Sequence, residues 1–255
     1  MESMQKRLKL VFPKKLDYPD RLKILDKPNR SAAYHQLIEA SASAYFETKG
    51  PTKWIFFKRF QVAFDYLKSI GEVKSLFDAG TGIGFFLPSL SQAANQVTAI
   101  DYSKHTLRYA KKMCQKRKIT NVEFIQADLL NLKLKNNKYN VITALSVLEH
   151  IPPQKLNQLM TNFKKILKPR GYLIAGWPNE GNWLFKLVQQ LEKRLMRPKV
   201  FKSIHDDKAK YKPLGHVANT KQIETAVIKN FKSIEIKSLP WIFPSFYRIG
   251  CFKNN

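Results

Sequence analysis

Three glycines at alternate positions, Gly80, Gly82 and Gly84, close the run Asp78-Ala79-Gly80-Thr81-Gly82-Ile83-Gly84, behind a stretch of β type and ahead of a helical one. A strand-to-helix switch of this composition reads as a nucleotide-binding turn, because glycine lets the backbone approach a ligand and adopts dihedrals closed to other residues. Asp101 follows 21 positions after Gly80, at the end of the next β-type run, where a carboxylate can accept hydrogen bonds from both hydroxyls of a ribose. Asp128, in Gln126-Ala127-Asp128-Leu129, stands just past a third run and can either accept from the exocyclic amine of an adenine or cap a helix. His150, in Glu149-His150 beyond a fourth run, is the leading candidate for a general base, with a loop-orienting role as the alternative. His216 ranks second, and His35, His105 and His205 read as surface or packing residues.

Other nucleotide chemistries fit less well. In a G-x-G-x-x-G fingerprint the third glycine would fall on Phe85 counting from Gly80, or on Leu87 counting from Gly82, and the lysine of a P-loop is replaced by Phe85-Phe86. Cys114 and Cys251 lie far apart and match no metal spacing, so they read as free thiols and no metal site is expected.

The elements that must position these residues alternate at a regular rhythm. Helical spacing runs from Ser31 to Phe46 and again from Pro51 to Ile70, where Trp54, Phe57, Phe60, Phe64 and Leu67 mark one face and Lys49-Gly50-Pro51 breaks the two. Strands are predicted at 75–78, 96–101, 122–126, 139–144 and 172–175, with helices near 85–94, 104–118 and 155–167 between them. This order predicts right-handed parallel crossovers in an open sheet whose ligands bind beyond the carboxyl ends of the strands. A helix near 220–230 and a hairpin of strands near 233–238 and 247–252 end the chain.

The stretch from about Ser75 to Pro178, some two fifths of the chain, resembles the class I S-adenosylmethionine-dependent methyltransferases. The glycine run is similar to that family's D-x-G-x-G-x-G loop, Ile100-Asp101 to its acidic strand end and Ala127-Asp128 to its adenine-contact loop. Val147-Leu-Glu-His-Ile-Pro152 and Leu167-Lys-Pro-Arg-Gly-Tyr172 resemble the branch that includes ubiquinone-biosynthesis O-methyltransferases. The resemblance implies an α/β, doubly wound, mostly parallel seven-stranded sheet with its last strand antiparallel, and S-adenosyl-L-methionine as cofactor. It implies that an acid at Asp78 holds the cofactor's amino group, directly or through water, and it gathers Tyr102, Leu129 and Ser146 with Gly80, Gly82, Gly84, Asp101 and Asp128 around the cofactor. It also implies that the loop carrying His216 closes the acceptor pocket. Base-amine methylation is argued against, because Ser146-Val147-Leu148-Glu149-His150 replaces an Asp/Asn followed by Pro-Pro and an aromatic; no cysteine stands there for cytosine-C5 chemistry.

On this reading residues 1–30 are a basic extended arm with little chemistry and 31–255 the methyltransferase domain. Within it lie N-terminal helices (31–70), a cofactor-binding core (71–178), a lid-like helical insertion (179–215) and a C-terminal helix and hairpin (216–255). The net charge of +26 draws in polyanions or reflects a lysine-rich surface without a partner. The apolar stripe and basic residues of Trp183 to Arg197 suit either a lid or an anionic membrane surface. No apolar run reaches the roughly 20 residues of a membrane span, so a cytoplasmic protein, peripheral to a membrane at most, is expected. Three functions follow: O-methylation of a small or amphipathic, lipid-like acceptor; methylation of RNA or another polyanion; or a non-catalytic cofactor-binding scaffold.

Overall fold

The computed structural model describes residues 8–18, 31–40, 42–46, 50–132, 134–179, 215–241 and 245–255. Most of the predicted insertion, including the stripe at 183–197 and His205, lies outside the described residues, as do 1–7 and 19–30 of the arm.

Seven strands form one sheet: β1 (Val73–Ala79), β2 (Ala94–Asp101), β3 (Val122–Gln126), β4 (Tyr139–Leu145), β5 (Leu167–Pro178), β6 (Lys232–Leu239) and β7 (Tyr247–Lys253). Their order is β3-β2-β1-β4-β5-β7-β6. The first five run parallel, and β7 pairs antiparallel with both β5 and β6. This is the doubly wound sheet expected, with each predicted strand present and most a residue or more longer. The order reverses between β1 and β4, so their carboxyl ends open a crevice. The β6 edge is polar: it carries Lys232, Glu235 and Lys237 and is largely exposed, which discourages edge-to-edge pairing.

Seven helices accompany the sheet among the described residues: α1 (Ala32–Glu39), α2 (Ala42–Phe46), α3 (Gly50–Ile70), α4 (Leu87–Ala93), α5 (Lys104–Lys116), α6 (Pro153–Ile166) and α7 (Thr220–Asn230). Strand alternation sorts the core between the faces. Leu76, Val141, Ile174 and Cys251 point to one side, against α1 to α5, and their neighbours Phe77, Ile142, Leu173 and Phe252 point to the other, against α6 and α7.

Two expectations change. The single helix expected at 31–46 is two, α1 and α2. The apolar face expected on α3 is rotated: Trp54 is 43% exposed, in edge contact with Trp241, whereas Arg59, Ala63 and Tyr66 are buried beside Phe60, Phe64 and Leu67. Residues 8–18 of the arm are extended, ending in a 3-10 turn at Lys15–Asp17, and they pack on the domain. Val11 exchanges hydrogen bonds through both its N–H and its carbonyl with the hydroxyl of Ser89 at 2.8 and 2.7 Å, Asp17 pairs with Arg117 at 2.6 Å, and Tyr18 is buried.

Candidate active site

All three glycines of the bend after β1 adopt the left-handed region, with φ of 68° at Gly80, 56° at Gly82 and 74° at Gly84. Two of them also have no room for a side chain. A Cβ on Gly80 would stand 2.4 Å from Val147 Cγ2, and one on Gly84 would meet Ala110 of α5 at 2.9 Å. The bend is tied to β2 by Thr81 N–H donating to the Ile100 carbonyl (2.9 Å) and Gly82 N–H to Asp101 Oδ2 (2.8 Å).

Asp101 therefore does more than end a strand. Its other oxygen accepts from Ser103 N–H (2.9 Å) and the Thr106 hydroxyl (3.1 Å), while Ser103 caps α5. One carboxylate thus joins the glycine bend, the end of β2 and the start of α5. Asp78 pairs in register with Thr143 of β4 and accepts its hydroxyl at 2.7 Å. Burial pushes the Asp78 carboxyl up to about 6; Thr143 and Thr81 oppose this, and Asp101 adds to it. The Thr81 hydroxyl is near enough to act on Asp78 yet has no hydrogen-bond partner among the described residues. A buried acid poised near neutrality, an unpartnered hydroxyl and a left-handed glycine bend fit the polar amino-acid end of S-adenosylmethionine.

The remaining cofactor candidates fall around this centre. Asp128 caps the 3-10 turn that follows β3: its oxygens accept from Leu130 N–H and the Asn131 amide, both at 2.9 Å. Tyr102 is exposed with its carbonyl accepting from Gln126, and Leu129 is buried. The N-terminal segments roof the bend. Ser103 donates to Gln36 of α1 at 2.6 Å, Ala40 lies against Gly82, and Tyr45 of α2 stacks on Phe85 with centroids 4.0 Å apart. Phe12 of the arm stacks on the same ring at 5.0 Å. Phe85 thus anchors the roof where a dinucleotide fold would have its third glycine. The aromatic pair after Gly84 was the signal for this roof in the sequence. Trp177 is fully buried near Phe252 and belongs to the core.

Beyond β4 the chain turns at Ser146, which adopts φ 56° and donates its N–H to the Gly176 carbonyl at 2.8 Å. Its hydroxyl lies 2.5 Å from Arg59 Nη1 and 3.0 Å from the Tyr247 hydroxyl. Sequence reading missed Arg59; the available signal was an arginine one turn from Phe56 and Ala63 on a face otherwise apolar. His150 and His216, 66 positions apart, meet with ring centroids 5.0 Å apart at 69°. Val217 and Ala218 hold them together by donating their N–H groups to the Glu149 carbonyl at 2.8 and 3.1 Å. The Glu149 side chain, also missed, is buried; burial raises its pKa, opposed by His150, His216 and Arg59. One donor atom each from Glu149, His150 and His216 lies within 4.8 Å of the others, a set suited to moving a proton or to holding a divalent cation. Cys114 and Cys251 are free and buried, their thiols pushed up to about 12 by burial.

Comparison with known proteins agrees with this architecture. A family model described as a methyltransferase domain matches residues 71–233. A probable S-adenosylmethionine-dependent methyltransferase of Mycobacterium tuberculosis (strain H37Rv) is 26% identical over 124 residues, covering 49% of this chain and 43% of the relative. The ubiquinone biosynthesis O-methyltransferase of Haemophilus ducreyi is 28% identical over 120 residues, 45% of this chain and 50% of that one. The chain thus spans about half the length of these relatives. In fold, it is similar to the crystal structure of the N-methyltransferase NodS from Bradyrhizobium japonicum WM9 in complex with S-adenosyl-L-homocysteine, with a TM-score of 0.61 at 15% identity, covering 86% of this chain and 98% of that one. A seven-stranded sheet, a glycine bend at its switch point and a family match over more than half its length make this chain a member of the methyltransferase-domain family of S-adenosylmethionine-dependent enzymes.

Proposed function

We propose that this protein transfers the methyl group of S-adenosylmethionine to an oxygen of a small or amphipathic acceptor. The observation that carries the reading is the closeness of two unlike sites across the β1/β4 crevice: Val147, in van der Waals range of Gly80, is two residues from Glu149 and three from His150. When bound, the cofactor supplies an electrophilic methyl on a sulfonium, to which an acceptor lone pair must be aligned in line. Asp78 would hold the amino group, the bend from Gly80 to Gly84 the methionine backbone, and Asp101 and Asp128 the ribose and adenine, with Tyr102, Leu129 and Ser146 bordering them. Asp101 enters this role already oriented by three protein donors, so it needs no rearrangement to accept from a hydroxyl.

A hydroxyl acceptor must lose a proton, and in this reading His150 takes it, with the His216 ring beside it and the Glu149 carboxyl buried within reach of both. Among the described residues no helix is long and apolar enough to cross a membrane. The test is calorimetric titration with S-adenosylhomocysteine, followed by transfer of labelled methyl from S-adenosylmethionine to metabolite, lipid and RNA fractions. Binding with label in a small organic molecule is expected. Label confined to RNA would move the protein to the polyanion reading, and no cofactor binding would leave only a scaffold.

A further inference from the structure

We propose that the exposed pair Trp54 and Trp241, flanked by Lys53 and Lys58, docks this protein on an anionic lipid surface. The docking deepens the methyltransferase reading and rests on it for the acceptor, which is then an amphipathic molecule held in that lipid. Trp241 is 74% exposed, more than any other large apolar side chain among the described residues, and Trp54 is 43% exposed. Their rings meet edge to face, with centroids 6.2 Å apart at 68°. One comes from the start of α3 and the other from the connection between β6 and β7, so the patch is assembled only by the fold. Two indoles facing water are unfavourable, and an apolar ring with one N–H donor suits the headgroup level of a bilayer.

The surrounding charge has the sign such a surface requires. Lys53 adjoins Trp54 in the chain, and Lys58 lies one helical turn further along the same face of α3. Neither has a carboxylate partner among the described residues, whereas Lys68 at the far end of α3 pairs with Asp65 and Lys237 of β6 with Glu235, each at 3.1 Å. The sequence holds no Asp or Glu at 48–64 or at 239–255, and no charged residue of either sign at 239–247. Two lysines beside an uncharged connection are too few to track a phosphodiester backbone, but they suit a headgroup layer with hydrocarbon beneath it. Location supports this use. At the start of β7, Tyr247 stands opposite Pro178 at the end of β5 and Leu239 at the end of β6. The connection bearing Trp241 therefore lies beyond the carboxyl end of β5, on the rim where β1 and β4 open the crevice. The Tyr247 hydroxyl is 3.0 Å from that of Ser146, four residues before His150, so the patch borders the edge that would meet the acceptor.

Flotation and tryptophan-emission titrations of the full chain would use vesicles of phosphatidylcholine alone and vesicles with about one third phosphatidylglycerol. Anionic vesicles should bind at least about tenfold tighter than neutral ones and shift the emission to the blue. The double variant Trp54→Ala, Trp241→Ala should weaken that binding at least about fivefold and reduce the shift, while S-adenosylhomocysteine affinity stays within about twofold. A chain of net charge +26 is drawn to any polyanion, so position must be separated from charge. For that, Lys53→Ala with Lys58→Ala is compared with Lys111→Ala and Lys112→Ala, an equal loss of charge on the exposed side of α5. The first pair should lower vesicle affinity at least about threefold more than the second. Equal losses, a tryptophan double variant that binds like wild type, or no preference for anionic vesicles each overturn the proposal. So does a patch covered otherwise: emission shifted by polyuridylate and not by vesicles, or a dimer that the tryptophan double variant loses. Should that variant fail to fold, Trp241→Ser alone should still weaken vesicle binding at least about twofold, and unchanged binding overturns the proposal. Wild type that binds vesicles but not S-adenosylhomocysteine would defeat the methyltransferase reading and leave the docking surface standing. The reverse result would defeat the docking surface alone.

Discussion

The bend between β1 and α4 and the edge formed by α3, β7 and the loop after β4 meet at Val147, yet they are built in different ways. The bend is made of consecutive residues, its shape set by left-handed glycines and its anchors by backbone hydrogen bonds to β2. The edge is made of side chains from distant segments: Tyr45, Arg59, Ser146 and Tyr247 share one hydrogen-bonded cluster, and His150 reaches His216 across 66 positions. A cofactor common to a family can be held by local backbone geometry, whereas an acceptor that varies between members is met by exchangeable side chains.

The comparison breaks most visibly at the edge. His150→Ala is expected to lower turnover by about 10²–10⁴-fold while leaving S-adenosylhomocysteine affinity nearly unchanged, since the imidazole belongs to the edge and not to the bend. Unchanged turnover in the labelled-methyl assay would place the base elsewhere. At the bend, Gly80→Ala drives a Cβ into Val147 at 2.4 Å while keeping φ at 68°, at a cost of about 2–4 kcal/mol in denaturant unfolding. Val147→Ala in the same chain should recover part of that loss, and a single variant as stable as wild type would show the junction to be loose.

A smaller effect separates the two regions by pH. With the Asp78 carboxyl at about 6, cofactor affinity should fall about tenfold between pH 7 and pH 5, because the cofactor's ammonium needs the ionised form. Stability of the ligand-free protein carries the opposite sign. A folded value raised above 3.8 contributes stability that is full below that value and is lost as pH rises through about 6. Asp78→Asn should flatten both slopes in calorimetry and thermal unfolding; retained slopes would assign them to another group. Smallest of all, Trp54→Ala should change stability by less than about 0.5 kcal/mol, since that ring lies outside the core. A loss of several kcal/mol would restore the helix face expected from the sequence.

Read residue by residue, the sequence carried the strands, the bend and the acids that flank it, because each depends on patterns spanning fewer than about ten residues, namely strand alternation, glycine at left-handed positions and acids at strand ends. It could not show that Asp128 accepts from Leu130 N–H, which depends on how the chain turns after β3. It placed the α3 face one step off, because the helix is flanked by apolar residues on more than one side and only the neighbours decide which are covered. It treated the arm as idle, although Phe12 stacks on Phe85.

By itself, then, the sequence determined a doubly wound sheet with a glycine bend after its first strand and an acid after its second, since backbone sterics and hydrophobic periodicity act locally. Tertiary structure alone decided that Arg59 is buried beside Ser146, that Glu149 and two distant histidines converge, and that Asp101 locks the bend to α5. Those outcomes depend on which side chains are brought within a few ångströms after the faces of the sheet are covered, and burial and charge pairing are set only there.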